Sequence, residues 1–173
     1  MGKKLLGIPG GFFVLEKCTD MGSTRHMGKA ARAIIIEDGK ILVMRRIKFG
    51  AEYHTLVGGR LNEQENTTQA LVREVMEETG LKVTAARLVF YEEHKAPHNE
   101  QFIYLCEVAP HQDIAIQGTS EEATMNKYDM NIHQPEWVGL RNFAGLHFRT
   151  PQLHAAIIQS LQKGFPKEAV KLA

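Results

Sequence analysis

At 173 residues, 43% of them hydrophobic, the chain is long enough to bury one core without disulfides or metals as staples. Twenty-one Lys plus Arg against 20 Asp plus Glu leave a net charge of +1, which excludes the global basic field of a dedicated nucleic-acid binder. The two cysteines, Cys18 and Cys106, stand far apart, which argues against a disulfide framework or a thiolate zinc site and points to a reduced, cytoplasmic protein.

The chain opens on "KKLLGIPGGFFVLEKC". Lys3 and Lys4 before an apolar stretch give it a weak likeness to a signal peptide, but Pro9, Gly10 and Gly11 interrupt that stretch. No apolar run approaches the roughly 20 residues that a membrane helix needs. The polar "TDMGSTRHMGK" that follows reads as a linker or cloning scar, with Met27 as an alternative start. Residues 1–27 are therefore set apart as an N-terminal extension, and residues 28–173 are taken as one domain.

From Ala30, "ARAIIIEDGKILVMRRI" places two apolar, β-branched runs around Asp38-Gly39, a strong hairpin signal. "FGAEYHTLVGGRL" adds a third strand and a loop. A helix follows, with Asn66 at its N-cap, Gln69 completing a capping box and Gly80 as its stop. "LKVTAARLVFYEEHK" and "QFIYLCEVAP" read as strands joined by a turn around Pro97 and His98. "QGTSEEATMNKYDMNIHQ" is long, polar and expected to be a loop, and "PEWVGL" a short late strand. Thr150 and Pro151 open a last helix whose Leu153, Ile157 and Leu161 repeat every four residues, ended by Gly164 and Pro166. Strands, helix, strands, helix implies an α/β fold with a mixed sheet between helices.

The first helix poses an electrostatic problem. At about 100° per residue, Glu74, Glu77 and Glu78 share one edge, apart from an apolar arc of Thr68, Leu71, Val72, Val75 and Met76. The arc is expected to dock on the core and leave the carboxylates at the margin. Neither position three nor four after Glu74 is basic, so forward helical ion pairing is missing and like charges repel. A divalent cation would supply the counter-charge, since Mg²⁺ takes oxygen ligands and is commonly held by carboxylates together with substrate phosphates. The glycine pair Gly58-Gly59 allows close backbone approach, and a carbonyl there would be one more hard ligand. Arg73 can orient a carboxylate through a bidentate contact, with Glu65 as a natural partner.

Gly59, Glu65, Arg73, Glu74, Val75, Glu77, Glu78, Gly80 and Leu81 fill a pattern of glycine, five residues, Glu, seven residues, Arg-Glu, aliphatic, any, Glu-Glu, any, Gly, aliphatic. In this the chain resembles the Nudix hydrolases, and with "VMRR", "PEWVGL" and the last helix the resemblance spans roughly residues 29–163. It implies the Nudix-type α/β/α sandwich and hydrolysis of a nucleoside diphosphate linked to another moiety, with Mg²⁺ or Mn²⁺. The partner would be a small-molecule nucleotide, with no membrane and no dedicated nucleic-acid surface; a homodimer stays open. Carried over by position, Glu74, Glu77 and Glu78 correspond to metal carboxylates, Gly58 would offer a carbonyl, and Arg73 with Glu65 would brace the group. Relatives take the general base from a box glutamate or from a later loop. Here Glu121 and Glu122 are the outside choices, ahead of Glu100 and Asp129.

Three residues depart from common family usage: Val57 where proline often precedes the glycine pair, Asn62 for a glutamate, and Gln64 for a glycine. Gln64 is the sharpest, because a glycine there can serve a backbone angle that Gln tolerates poorly. These changes keep open a non-catalytic nucleotide- or RNA-binding module as the alternative.

Outside the box, Arg45 or Arg46 could bind phosphate, and strand alternation lets at most one point inward. Tyr53, His54, Phe49 and Tyr91 could stack on a base or pack in the core, while Trp137 reads as packing. His94 and His98 could approach phosphate but lack metal-ligand spacing, so a turn histidine is the plainer reading. ADP-ribose-like compounds, nucleoside triphosphates and dinucleoside polyphosphates all remain open as substrates.

Overall fold

The computed structural model describes residues 13–14, 28–94, 100–110, 113–128 and 131–172. Pro97, His98, Asp129, Cys18 and Met27 lie outside them. In chain order the elements are β1 (Phe13–Val14), β2 (Lys29–Glu37), β3 (Lys40–Lys48), β4 (Ala51–Thr55), α1 (Thr67–Thr79), β5 (Val83–Glu93), β6 (Glu100–Val108), α2 (Glu121–Asn126), β7 (Asn131–Gly139), α3 (Leu140–Phe143), α4 (Pro151–Lys163) and β8 (Val170–Leu172).

The hairpin forms as expected: β2 and β3 pair antiparallel, with Asp38 at φ 46° and Gly39 at φ 73°, the double left-handed turn that matches strand twist. The sheet runs β1-β5-β6-β2-β3-β4, with β7 along β3 and β8 along β5. β2 lies parallel to β6 and β8 parallel to β5, while the other strand pairs are antiparallel, so the sheet is mixed. Phe13–Val14, within the stretch set apart as an extension, pairs with Ala85 and Ala86 of β5.

Alternation along β2 and β3 divides the apolar residues between two layers. Ala31, Ala33, Ile35, Leu42 and Met44 join Ala70, Leu71 and Val75 of α1 in one core. Ile34, Ile41 and Val43 join Phe143 of α3 and Leu153 and Ile157 of α4 in the other. Helices thus cover both faces, giving an α/β/α sandwich. Trp137 packs against the first core.

Two expected segments depart from the sequence reading, and β1, α3 and β8 are additional to it. The polar stretch after β6 is not all loop: Ser120 caps the short α2 by accepting from the Ala123 amide at 3.0 Å. The late strand is longer than "PEWVGL", beginning at Asn131. Pro135 is tolerated inside it because, among the described residues, β7 pairs with β3 alone and is therefore an edge strand. No helix among the described residues is long and apolar enough to cross a membrane.

Candidate active site

α1 begins with both halves of its capping box. The Asn66 side chain accepts from the Gln69 amide at 2.8 Å, and the Gln69 side chain accepts from the Asn66 amide at 2.9 Å. It ends at Gly80, left-handed at φ 77°. Between these fixed ends the buried positions are Ala70, Leu71, Glu74, Val75, Glu78 and Thr79. Glu74 and Glu78 are therefore not at a solvated margin, with exposures of only 8% and 4%, whereas Met76, expected in the core, is exposed. The reason is the loop before the helix, which folds over this edge and covers it.

That loop is zipped to β2: the Ala33 amide donates to the Val57 carbonyl at 3.0 Å, Ala31 to Gly59 at 2.9 Å and Leu61 to Lys29 at 3.1 Å. Gly58 has φ 122°, and a Cβ there would meet the Ala31 carbonyl oxygen at 2.2 Å. A Cβ on Gly59 would lie 2.4 Å from the Glu74 carboxylate. Both glycines thus permit a close approach, one to a strand and one to an acid. The Gly58 amide donates to Glu78 Oε2 at 2.6 Å, while its carbonyl accepts from the Arg32 guanidinium. That carbonyl is the one expected to offer a cation ligand, and Arg32 donates to it here.

Arg73 gathers the acids on the near side. It grips Glu65 bidentately, Nε to Oε1 at 2.7 Å and Nη2 to Oε2 at 2.9 Å. Nη1 reaches Glu74 at 2.9 Å and Glu77 at 3.2 Å, and Nη2 the Arg60 carbonyl at 3.0 Å. The helical ion pairing found missing in the forward direction therefore exists from the N-terminal side, through Arg73 and Glu77. Hydrogen bonds from Arg73 hold the Glu65 carboxyl below its usual range, and Glu65 in turn raises Arg73. The Asn62 amide closes this arrangement on Glu65 Oε2 at 2.9 Å. Gln64 sits at φ 72°, the left-handed angle that a glycine would adopt freely.

Opposite Arg73, one ligand atom from each of Glu74, Glu78 and Glu122 lies within 4.8 Å of the others. Glu122 comes from α2, which is tied to β7 by Asn126: its side chain donates to the His133 carbonyl at 2.8 Å and accepts from the His133 amide at 2.7 Å. Burial pushes the Glu78 carboxyl up to about 8, against the opposing pull of the Gly58 amide and Arg32, with Glu122 and Glu74 pushing the same way as burial. Burial likewise raises Glu74, opposed by Arg73 and assisted by Glu122 and Glu77. Three hard oxygen donors that resist sharing negative charge fit a divalent cation of the Mg²⁺ or Mn²⁺ type.

The remaining expected residues separate. Glu77 lies outside the group of three, held by Arg73. Glu121, on α2 beside Glu122, is exposed and also outside it. Glu100 pairs with Lys29 at 3.1 Å. Arg45 is turned away, bonded to Glu52 at 2.6 Å and Gln134 at 3.2 Å. Arg46, facing the other way by strand alternation, feels Glu78 and Glu122. Tyr53 lies against two guanidiniums, Arg46 at 6.0 Å and Arg149 at 5.5 Å from its ring centre. His54 is buried and bonded to Glu136 at 3.1 Å, whereas Phe49 is exposed and Tyr91 lies beside Lys171. His94 bonds Glu92 at 3.0 Å and Gln101 at 3.1 Å. Cys106 is a free, buried thiol that burial pushes upward, unsuited to nucleophilic chemistry.

Arg32 and Arg149 were missed by sequence reasoning. Arg32 had a signal: it interrupts "AARAIII", an otherwise apolar buried strand, where a cation needs a nearby reason. Arg149 had none, because only the fold brings the approach to α4 beside β4, through the Arg149 amide to the His54 carbonyl at 3.0 Å.

A mixed-sheet α/β/α sandwich whose glycine loop closes over an acidic helix edge defines a class of hydrolases. Residues 27–161 match the NUDIX domain family model. The chain belongs to the NUDIX family and is a Nudix hydrolase. Among solved structures it is similar to MutT studied from Aliivibrio salmonicida and Vibrio cholerae, at 19% identity and TM-score 0.59 over 79% of this chain and 98% of that one. A NUDIX hydrolase from Nitrosomonas europaea is 21% identical, with TM-score 0.59, 80% of this chain and 90% of that one covered. The E. coli ORF135 protein is 22% identical, with TM-score 0.57, 82% and 97% covered. At these identities the likeness is one of fold. No curated protein matches the chain.

Proposed function

We propose that the protein is a Mg²⁺- or Mn²⁺-dependent pyrophosphohydrolase, cleaving a nucleoside diphosphate linked to another moiety by attack of water on phosphorus. The observation that carries this is the convergence of Glu74, Glu78 and Glu122 from two separate helices on one small volume. When bound there, a divalent cation neutralises the pyrophosphate and makes water more acidic.

The chain's own residues supply the rest. Glu74 and Glu78 lie on successive turns of α1 and, with Glu122, would hold the cation; Gly58 orients Glu78 through its amide, and Arg73 orients Glu74. Arg73 in turn is fixed by Glu65, so the acidic edge is braced before substrate arrives. Glu122, the least buried of the three, would take the proton of the attacking water as its oxygen bonds to phosphorus. The bond that breaks is the far P–O bond of the pyrophosphate, whose bridging oxygen leaves with the second phosphoryl group. The loop covering α1 excludes water from Glu74 and Glu78, which strengthens their hold on any cation.

Purified protein supplied with Mg²⁺ or Mn²⁺ and ADP-ribose, nucleoside triphosphates and dinucleoside polyphosphates should release two phosphate-containing products from at least one of them. Glu78→Gln and Glu122→Gln should each lower the rate by about 10²-fold or more, while Glu121→Gln should leave it within about twofold. Nucleotide binding without product release would instead describe a binding module. An equal loss in Glu121→Gln and Glu122→Gln would remove the assignment of Glu122.

A further inference from the structure

Three arginines, two of them within electrostatic reach of Glu78 and Glu122, have no ion-pair partner among the described residues. Arg32 bonds only neutral acceptors, the Gly58 carbonyl and Gln101 Oε1 at 3.2 Å. Arg46 donates to Asn131 Oδ1 at 3.0 Å, and its Nε is buried with no hydrogen-bond partner. Arg149 donates to the Tyr53 hydroxyl at 3.3 Å. None of the three forms an ion pair among the described residues, in contrast to Arg45, held by Glu52, and Arg73, held by Glu65, Glu74 and Glu77.

Two of the three meet at Tyr53, and Arg32 lies within electrostatic reach of both. Arg32 feels the positive charge of Arg149, and Arg46 feels that of Arg32; both feel Glu78 and Glu122. Arg46 and Arg149 share the Tyr53 ring. Cations gathered at one place with neutral partners repel each other, and an unsatisfied buried N–H costs free energy until something accepts from it. The group that relieves both is a polyanion with several acceptor oxygens, and the guanidinium fork matches phosphate bidentately.

The geometry points to a second phosphate subsite, formed by Arg32, Arg46 and Arg149 around Tyr53, that receives the part of a polyphosphate chain lying beyond the two phosphoryl groups at Glu74, Glu78 and Glu122. The substrate class this selects is a nucleotide with three or more phosphates in line, in preference to one with only a pyrophosphate, such as ADP-ribose. Tyr53 then serves as a platform that aligns two guanidiniums and not as a base-stacking surface. The inference rests on the hydrolase reading for its reaction, but the anion subsite can be measured without turnover.

The test has a binding arm and a kinetic arm. Calorimetric titration of the metal-free full chain with inorganic tripolyphosphate and with pyrophosphate should show tripolyphosphate binding at least about tenfold tighter. Arg149→Ala, an exposed position expected to fold, should lose about tenfold of that affinity, and Arg46→Ala similarly; Arg45→Ala should not. With Mg²⁺, Arg149→Ala should raise KM for a nucleoside triphosphate by about tenfold and change that for ADP-ribose by less than about twofold. Tripolyphosphate binding unaltered in Arg149→Ala and Arg46→Ala, or equal kinetic losses on the two substrates, would overturn the subsite. Intact, arginine-dependent tripolyphosphate binding with no turnover of any substrate would uphold the subsite while removing the hydrolase reading.

Discussion

The amide of Gly58 donates to Glu78 Oε2 at 2.6 Å, joining the glycine loop to the last turn of α1 across a sequence separation of 20 residues. This bond helps a carboxylate that is only 4% exposed to carry charge, but burial still outweighs it and holds the Glu78 carboxyl at about 8. Stability should therefore depend on pH in a defined direction. Below about pH 4.5 the group is protonated in folded and unfolded chains alike; between there and about pH 8 the unfolded chain gives up a proton that the folded one retains. Each step upward through that window favours unfolding, and the loss is complete above it. In a chelator, Tm should fall from pH 5 to pH 8, and Mg²⁺ or Mn²⁺ should raise Tm more at pH 8 than at pH 5. Glu78→Gln should flatten the slope measured in chelator; an unchanged slope would assign it to other groups.

The two glycines should fail in different ways. In Gly58→Ala the new Cβ meets a backbone carbonyl at 2.2 Å in a left-handed conformation, so β2 or the loop must move. A loss of several kcal/mol, or no folded protein, is expected. In Gly59→Ala the obstacle is the end of a side chain, the Glu74 carboxylate at 2.4 Å, which can swing aside. Thermal unfolding should show a modest loss of stability, and cation titration a large loss of affinity. Equal destabilisation of both variants would contradict this division.

Gln64 is held at φ 72° in an exposed loop, at a cost that glycine would not incur. Gln64→Gly should raise stability by ~0.5 kcal/mol, since relief of the left-handed penalty exceeds the added freedom of the unfolded chain. For a chain of this size that is about 1–2 °C in Tm. A decrease would show that the Gln64 side chain contributes more than its backbone angle costs.

Arg73→Lys retains the charge but not the fork that grips Glu65 while reaching Glu74, Glu77 and the Arg60 carbonyl. Cation affinity should fall by about 10–100-fold, as for other residues that orient metal ligands. Glu65→Gln should fall in the same range, and the double variant should add little to either single one, because both disrupt one connection. Strictly additive losses would mean that Arg73 and Glu65 act separately.

Local chemistry made much of this legible. Asp38-Gly39 and the Asn66–Gln69 capping box are each set by a few adjacent residues, so their outcome follows from their identity. The burial of Glu74 and Glu78 depends on a loop lying over them, which the helix's own periodicity cannot express. The same limit applied to Met76, which fits an apolar arc but points past the edge of the core. α2 has six residues, none buried, and so no apolar rhythm to announce it. That Glu122 and not Glu121 joins Glu74 and Glu78 depends on the orientation of that one turn, and the position of Arg149 on the long-range approach of α4 to β4.

α2 also divides the acidic site into two kinds of chain. Glu74 and Glu78 are framed by a capped thirteen-residue helix and a loop laced to the sheet, whereas Glu122 rides on a turn anchored through the Ser120 cap and Asn126. An insertion or deletion between β6 and β7 would relocate one carboxylate and spare the other two. The architecture therefore separates a fixed pair of oxygen donors from a third whose reach is set by the β6–β7 connection.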